Sequence, residues 1–83
     1  MKIYVKGAIH LKKSDIYLMT IKLIEGKILP AEKWINEKDN NLFFIVKSLT
    51  LGTYNFDTDS FDIVIEKPLS SIEKYVDKNF IKL

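Results

Sequence analysis

Apolar and polar residues alternate from residue 2 to residue 13: Ile3, Val5, Ile9 and Leu11 share one face of an extended strand with Gly7 at its middle. Lys2, Tyr4, Lys6, Ala8, His10 and Lys12 share the other. A glycine interrupting an apolar face marks a bulge, a sharp bend or a close backbone approach, all of which help a sheet curl into a barrel. Lys13, Ser14 and Asp15 form a turn, because Ser and Asp hydrogen-bond their own backbone. Residues 16–24 are then almost continuously apolar or β-branched, with Lys22 as the only charge. That run predicts a strand covered on both faces for much of its length.

Glu25, Gly26 and Lys27 close this strand, and Pro30 in the following connection removes a ladder donor. Residues 33–37, carrying Trp34, predict a short strand, and Lys38-Asp39-Asn40-Asn41 is a hairpin turn. Residues 41–51 are again β-branched and aromatic. Residues 52–60 are the most polar stretch and predict a surface loop, and residues 61–66 alternate with Phe61, Ile63 and Ile65 on one side. Near residues 70–78, Ser70 and Glu73 fit a capping box and Ile72, Tyr75 and Val76 share a helical face, so one or two helical turns fit there. Phe80, Ile81 and Leu83 form a closing strand. The expectation is an all-β fold: a single domain over residues 1–83 with about six strands, antiparallel because most connections are short, and at most one short helix.

Composition narrows the picture. With 47% hydrophobic and 29% charged residues the 83-residue chain reads as one small globular domain. It has no cysteine, so neither a disulfide framework nor a thiolate zinc site braces it, and burial of its large apolar side chains must do so. The net charge of +2 is too weak to imply nucleic-acid binding by itself, and all 13 basic residues are lysine. Lysine supplies point charges to phosphates but lacks the bidentate fork that reads guanine or carboxylate. No window approaches the roughly 18 apolar residues of a membrane span, and the first residues lack a signal peptide's continuous apolar stretch. The cytoplasm is the expected location.

Candidate chemistry is sparse. His10 stands on the presumed polar face of its strand; Ser48 and Asp15 exist elsewhere, but no G-x-S-x-G elbow supports a triad, so His10 reads as an exposed structural residue. Asp57, Asp59 and Asp62 offer oxygens to a hard cation, yet the glycine and bidentate glutamate of a calcium loop are missing at the required spacing, and a solvated acidic loop is the simpler reading. Gly7, Gly26 and Gly52 are isolated, which excludes a P-loop and a dinucleotide-binding turn. Trp34, Tyr17, Phe43, Phe44 and Tyr54 could form a base-stacking platform, but a small barrel needs large residues inside, and most of them are expected in the core. Apart from Lys12-Lys13 the lysines are isolated, as a solvated surface requires. No catalytic, cofactor-binding or metal residue is assigned, and no cofactor is expected.

Three segments in order make residues 16–83 resemble the second-domain β-barrel of translational GTPases such as elongation factor Tu. EGKILPAEKW is similar to the family's G-x-I-x-x-G-D-x-V hairpin: Gly26 and Ile28 match, Ala31 replaces the second glycine, Glu32 stands for Asp and Trp34 takes the apolar position. FFIVKSLTL is similar to the strand ending in V-K-S-I, through Val46, Lys47, Ser48 and Leu49. FDIVIEKP followed by YVDKNFIKL resembles an apolar strand, a short connection and I-x-x-G-x-V, with Val76, Asn79 and Ile81 in the Ile, Gly and Val positions. Phe61 appears near the family's customary glycine-aspartate pair. Asn79 would carry the left-handed backbone of the replaced glycine.

The resemblance implies a six-stranded antiparallel Greek-key barrel and a non-catalytic binding module whose partner is a protein or a structured RNA, detached from any GTPase domain. The alternative is a small neutralising, immunity or accessory protein that binds a partner protein. A small enzyme is the third reading, and it lacks a nucleophile-base pair or metal cluster.

Overall fold

The computed structural model describes residues 1–49 and 60–82. Its described residues form six strands, β1 (Lys2–Leu11), β2 (Ile16–Glu25), β3 (Lys33–Asn36), β4 (Phe43–Leu49), β5 (Ser60–Ile65) and β6 (Lys78–Ile81), with one 3₁₀ turn at Ile72–Tyr75. All pairings are antiparallel and the ladder runs β1-β2-β5-β4-β3-β6 before closing on β1. Closure is made by Ile3 opposite Phe80 and Val5 opposite Lys78. Because β2 pairs with β5 rather than with β3, the chain follows a Greek-key path, and closing the ladder leaves no free sheet edge among these strands.

Alternation explains what fills the barrel. Ile3 and Val5, Met19 and Ile21, Trp34, Phe44 and Val46, Ile63 and Ile65, and Phe80 point inward and are essentially fully buried, one or two from each strand. Ile28, Leu42 and Tyr75 join them from the connections. Each such side chain contributes about 1.5–3 kcal/mol on leaving water, which is how a chain without cross-links holds a core. Phe44, Tyr75 and Phe80 pack as a ring cluster, with Phe44 edge-on to Phe80 at 5.2 Å between centroids and Tyr75 stacked on Phe80 at 5.7 Å.

The bulge expected at Gly7 is present: pairing with β2 slips between Val5 and Gly7, leaving Lys6 as the extra residue. It has a consequence that the alternation alone missed. An extra residue inverts the faces beyond it, so Ala8 packs on the core while Ile9 and Leu11 turn outward, 52% and 40% exposed. The glycine itself is not required, since a Cβ at Gly7 would meet nothing within 4 Å. Strand β2 departs from expectation in the same region. Met19 and Ile21 are buried, but no described residue covers its outer face, where Ile16 and Leu18 stay partly exposed and Ile24 is 51% exposed.

The C-terminal segment also differs in detail. The 3₁₀ turn is capped by Ser71, and no side-chain bond forms there, so the Ser70–Glu73 capping box is not made. The left-handed residue before β6 is Asp77 (φ 60°); Asn79 is an ordinary strand residue. Asp77 donates its N–H to the Val5 carbonyl, tying this corner to β1. The expected polar loop lies outside the described residues except for Ser60, which opens β5 and is buried.

Candidate binding surface

Among the described residues, the β1–β2 hairpin and β5 carry a row of aliphatic side chains on the outside of the barrel. Beyond the bulge, Leu11 lies opposite Ile16, and Ile9 lies opposite Leu18, which lies opposite Val64 of β5. Residues directly opposite each other share a face, so these five aliphatic side chains make one continuous outer row. Lys12 and Lys13 follow it at the hairpin tip, and Lys6 and Lys22 stand beyond its other end. Among the described residues none of these four lysines makes an ion pair. The carboxylates nearby are engaged: Asp15 Oδ1 lies 2.8 Å from His10 Nε2, and Asp62 accepts a 2.6 Å hydrogen bond from the Thr20 hydroxyl.

His10 is therefore not the exposed polar-face residue the alternation implied. The bulge turns it to the Tyr17 side of the hairpin, where the two rings stack at 4.0 Å with 3° between planes, and its side chain is 27% exposed. Asp15, left-handed at φ 52°, closes the turn against it. Cross-strand register brings this trio together, a relation that Lys13-Ser14-Asp15 hinted at only as a turn. Tyr17 also lines a recess of about 350 Å³ with Asp15, Lys47, Glu66 and Lys67. Lys47 is the extra residue of a further register slip, between Val46 and Ser48 of β4, and Ser48 lies opposite Val64.

The other aromatic candidates divide as a small barrel requires. Trp34 and Phe44 are core residues, while Phe43 lies on the outside beneath Lys33 Nζ, 4.2 Å from the ring centroid. Tyr54, Asp57 and Asp59 lie outside the described residues. Among the described residues no group of three metal-ligating side chains occurs, and no helix is long and apolar enough to cross a membrane.

A second recess, of about 430 Å³, is lined by Asn36, Glu37, Lys38, Asp39, Asp77, Lys78 and Asn79. Its polar groups are spent on the fold. Buried Asn36 donates from Nδ2 to the Asn79 carbonyl at 3.1 Å and accepts the Lys38 N–H at 3.0 Å. Asp77 accepts the Tyr4 hydroxyl at 2.8 Å, and that hydrogen bond, with burial and the Asp77 charge, pushes the Tyr4 hydroxyl above its ordinary value.

Between these regions Glu32 forms a half-hidden ion pair with Lys82 and accepts the Leu29 N–H at 2.7 Å. Burial pushes the Glu32 carboxyl up, but Lys82, the Leu29 N–H and the neighbouring Trp34 indole outweigh it and hold the group below its ordinary value. The Trp34 Nε1 is buried outside hydrogen-bonding geometry, so its effect on Glu32 is that of a nearby dipole. The Tyr75 hydroxyl donates to the Phe43 carbonyl at 2.8 Å; burial raises its titration, and Ser70 partly offsets the rise.

Set against models of known protein families, characterised proteins and solved structures, the chain matches none.

Proposed function

We propose that this protein is a non-catalytic, cytoplasmic binding module of the kind used as the second-domain barrel in translational GTPases, and that its partner is a protein. The observation that carries the family reading is Ala31. It stands where the family's hairpin has its second glycine, and it adopts the left-handed backbone (φ 70°) that such a glycine serves; Gly26, matching the first, is left-handed too at φ 89°. A non-glycine residue pays a steric cost in that conformation, so the local shape is imposed by the fold around it: the Ala31 N–H is bonded to the Val46 carbonyl within V-K-S, another of the resembling segments. The barrel closed between β1 and β6 supports the same reading.

The aliphatic row on β1, β2 and β5, which no described residue covers, favours a protein partner, because an apolar strip is matched by apolar side chains. A specific observation keeps a structured RNA as the second reading: the Tyr17 recess joins an aromatic ring to Lys47 and Lys67, which suits a stacked base with phosphates nearby. Salt separates the two. RNA held by lysines should dissociate steeply between about 50 and about 200 mM salt through counterion release, whereas a protein complex held mainly by apolar contact should persist. Gel filtration with a transfer-RNA pool, beside isolation of complexes from native cells at both salt concentrations, reads the difference. Absence of any stable complex in either arm would overturn the binding-module reading.

A further inference from the structure

The described residues present an apolar row on the outside of the barrel that the core does not explain. Ile9, Leu11, Ile16, Leu18 and Val64 lie in register on the outside of β1, β2 and β5. A barrel needs one apolar face per strand, yet β2 adds Ile16 and Leu18 on its outer face, and the Lys6 bulge delivers two further aliphatic side chains to the outside. Lysines without ion-pair partners among the described residues stand at both ends of the row, Lys12 and Lys13 at the tip and Lys6 and Lys22 beyond the Thr20 row.

We propose that this outer face is the docking surface of the binding module, and that its occupant is a segment of another protein in which aliphatic side chains are flanked by carboxylates. The inference rests on the reading of the protein as a binding module. Charge selects the occupant. Two copies of this chain meeting on the face would bring their lysine sets together, which opposes self-association. A lipid surface also takes an apolar face flanked by lysines, so it is one of the outcomes that the crosslinking test separates from a protein segment. An aliphatic segment with acidic ends satisfies both features: it covers the row and supplies counter-charges to ammonium groups that have no ion-pair partner among the described residues.

The test places the photo-crosslinking residue benzoylphenylalanine at position 9 in the full chain expressed in its native cells, and at Lys38 as a control on the β3–β4 turn. The expected result is a crosslink from position 9 to a different protein, mapped by mass spectrometry to an aliphatic stretch with Asp or Glu within a few residues. Its yield should fall at least tenfold when Lys12→Glu and Lys13→Glu are added, with circular dichroism and melting unchanged. Crosslinks from position 38 alone would overturn this face while leaving the binding module standing. A crosslink to a second copy, to lipid or to RNA, or one insensitive to the charge reversals, would overturn the proposed occupant. No crosslink at either position would overturn both.

Discussion

The β3-β4-β6 side of the barrel and the β1–β2 hairpin use their apolar residues in opposite ways. Around β3, β4 and β6 the large side chains, Trp34, Phe44 and Phe80 with Tyr75 from the 3₁₀ turn, go inward, and the polar groups are tied into the fold through Asn36 to Asn79, Tyr75 to Phe43 and Glu32 to Lys82. The hairpin is aliphatic, contributes Ile3, Val5, Met19 and Ile21 to the same core, and still has Ile9, Leu11, Ile16 and Leu18 left outside. One side spends its sequence on stability. The other carries more apolar surface than the described core takes up, and that surplus is what the proposed docking surface rests on.

The largest effects should come from the shared interior. Phe80→Ala, which empties the centre of the aromatic cluster, is expected to cost about 3–5 kcal/mol in urea unfolding, and Ile63→Ala, on the hairpin's neighbour β5, about 2–5 kcal/mol. An unchanged midpoint for Ile63→Ala would mean that the β2–β5 register is wrong. Next come two backbone exchanges of opposite logic. Ala31→Gly should raise stability by about 0.5–1 kcal/mol, the relief of a left-handed alanine exceeding the added freedom of the unfolded chain. Gly7→Ala, where space is open and the backbone is not left-handed, should raise it by about 0.4–1 kcal/mol through the unfolded state alone. If Ala31→Gly destabilises instead, the family reading of that connection loses its support.

Glu32 offers a pH test. Its carboxyl titrates lower in the folded protein than the ordinary 4.5, so the unfolded chain takes up the proton first as pH falls. The ion pair's contribution is therefore present above the ordinary value and is lost as pH falls through the lowered folded one. Glu32→Gln should be less stable than the wild type at neutral pH, and the gap should close as pH falls through and below the ordinary carboxylate range; a gap that persists in acid would mean that Glu32 acts by packing. The smallest expected change sharpens the contrast most. Ile9→Ser on the outer row should shift stability by no more than about 0.5 kcal/mol, as exposed positions do. A cost above about 2 kcal/mol would make the row structural and erase the division between the two sides.

Much of the architecture was legible in the residues. Period-two alternation with isolated turn residues placed the strands and the β3–β4 hairpin, because a half-buried strand must alternate. The absence of cysteine required a packed apolar core, and of the glycine-type positions quoted for the barrel resemblance Gly26 and Ala31 are left-handed in the fold while Asn79 is not. The candidate surface was not legible. Periodicity is counted along one strand, and a single extra residue at Lys6 reverses everything after it, so Ile9 and Leu11 read as core and His10 as exposed until pairing with β2 is known. The same holds for β2, whose unbroken apolar run predicts cover on both faces, although only neighbours distant in sequence can supply it. Sequence alone determined which segments are strands, since that depends on local side-chain pattern and turn chemistry. Only the tertiary structure decided which face each residue shows, because register and bulges are set by pairing between strands, and pairing decides which apolar groups the barrel buries and which it leaves outside.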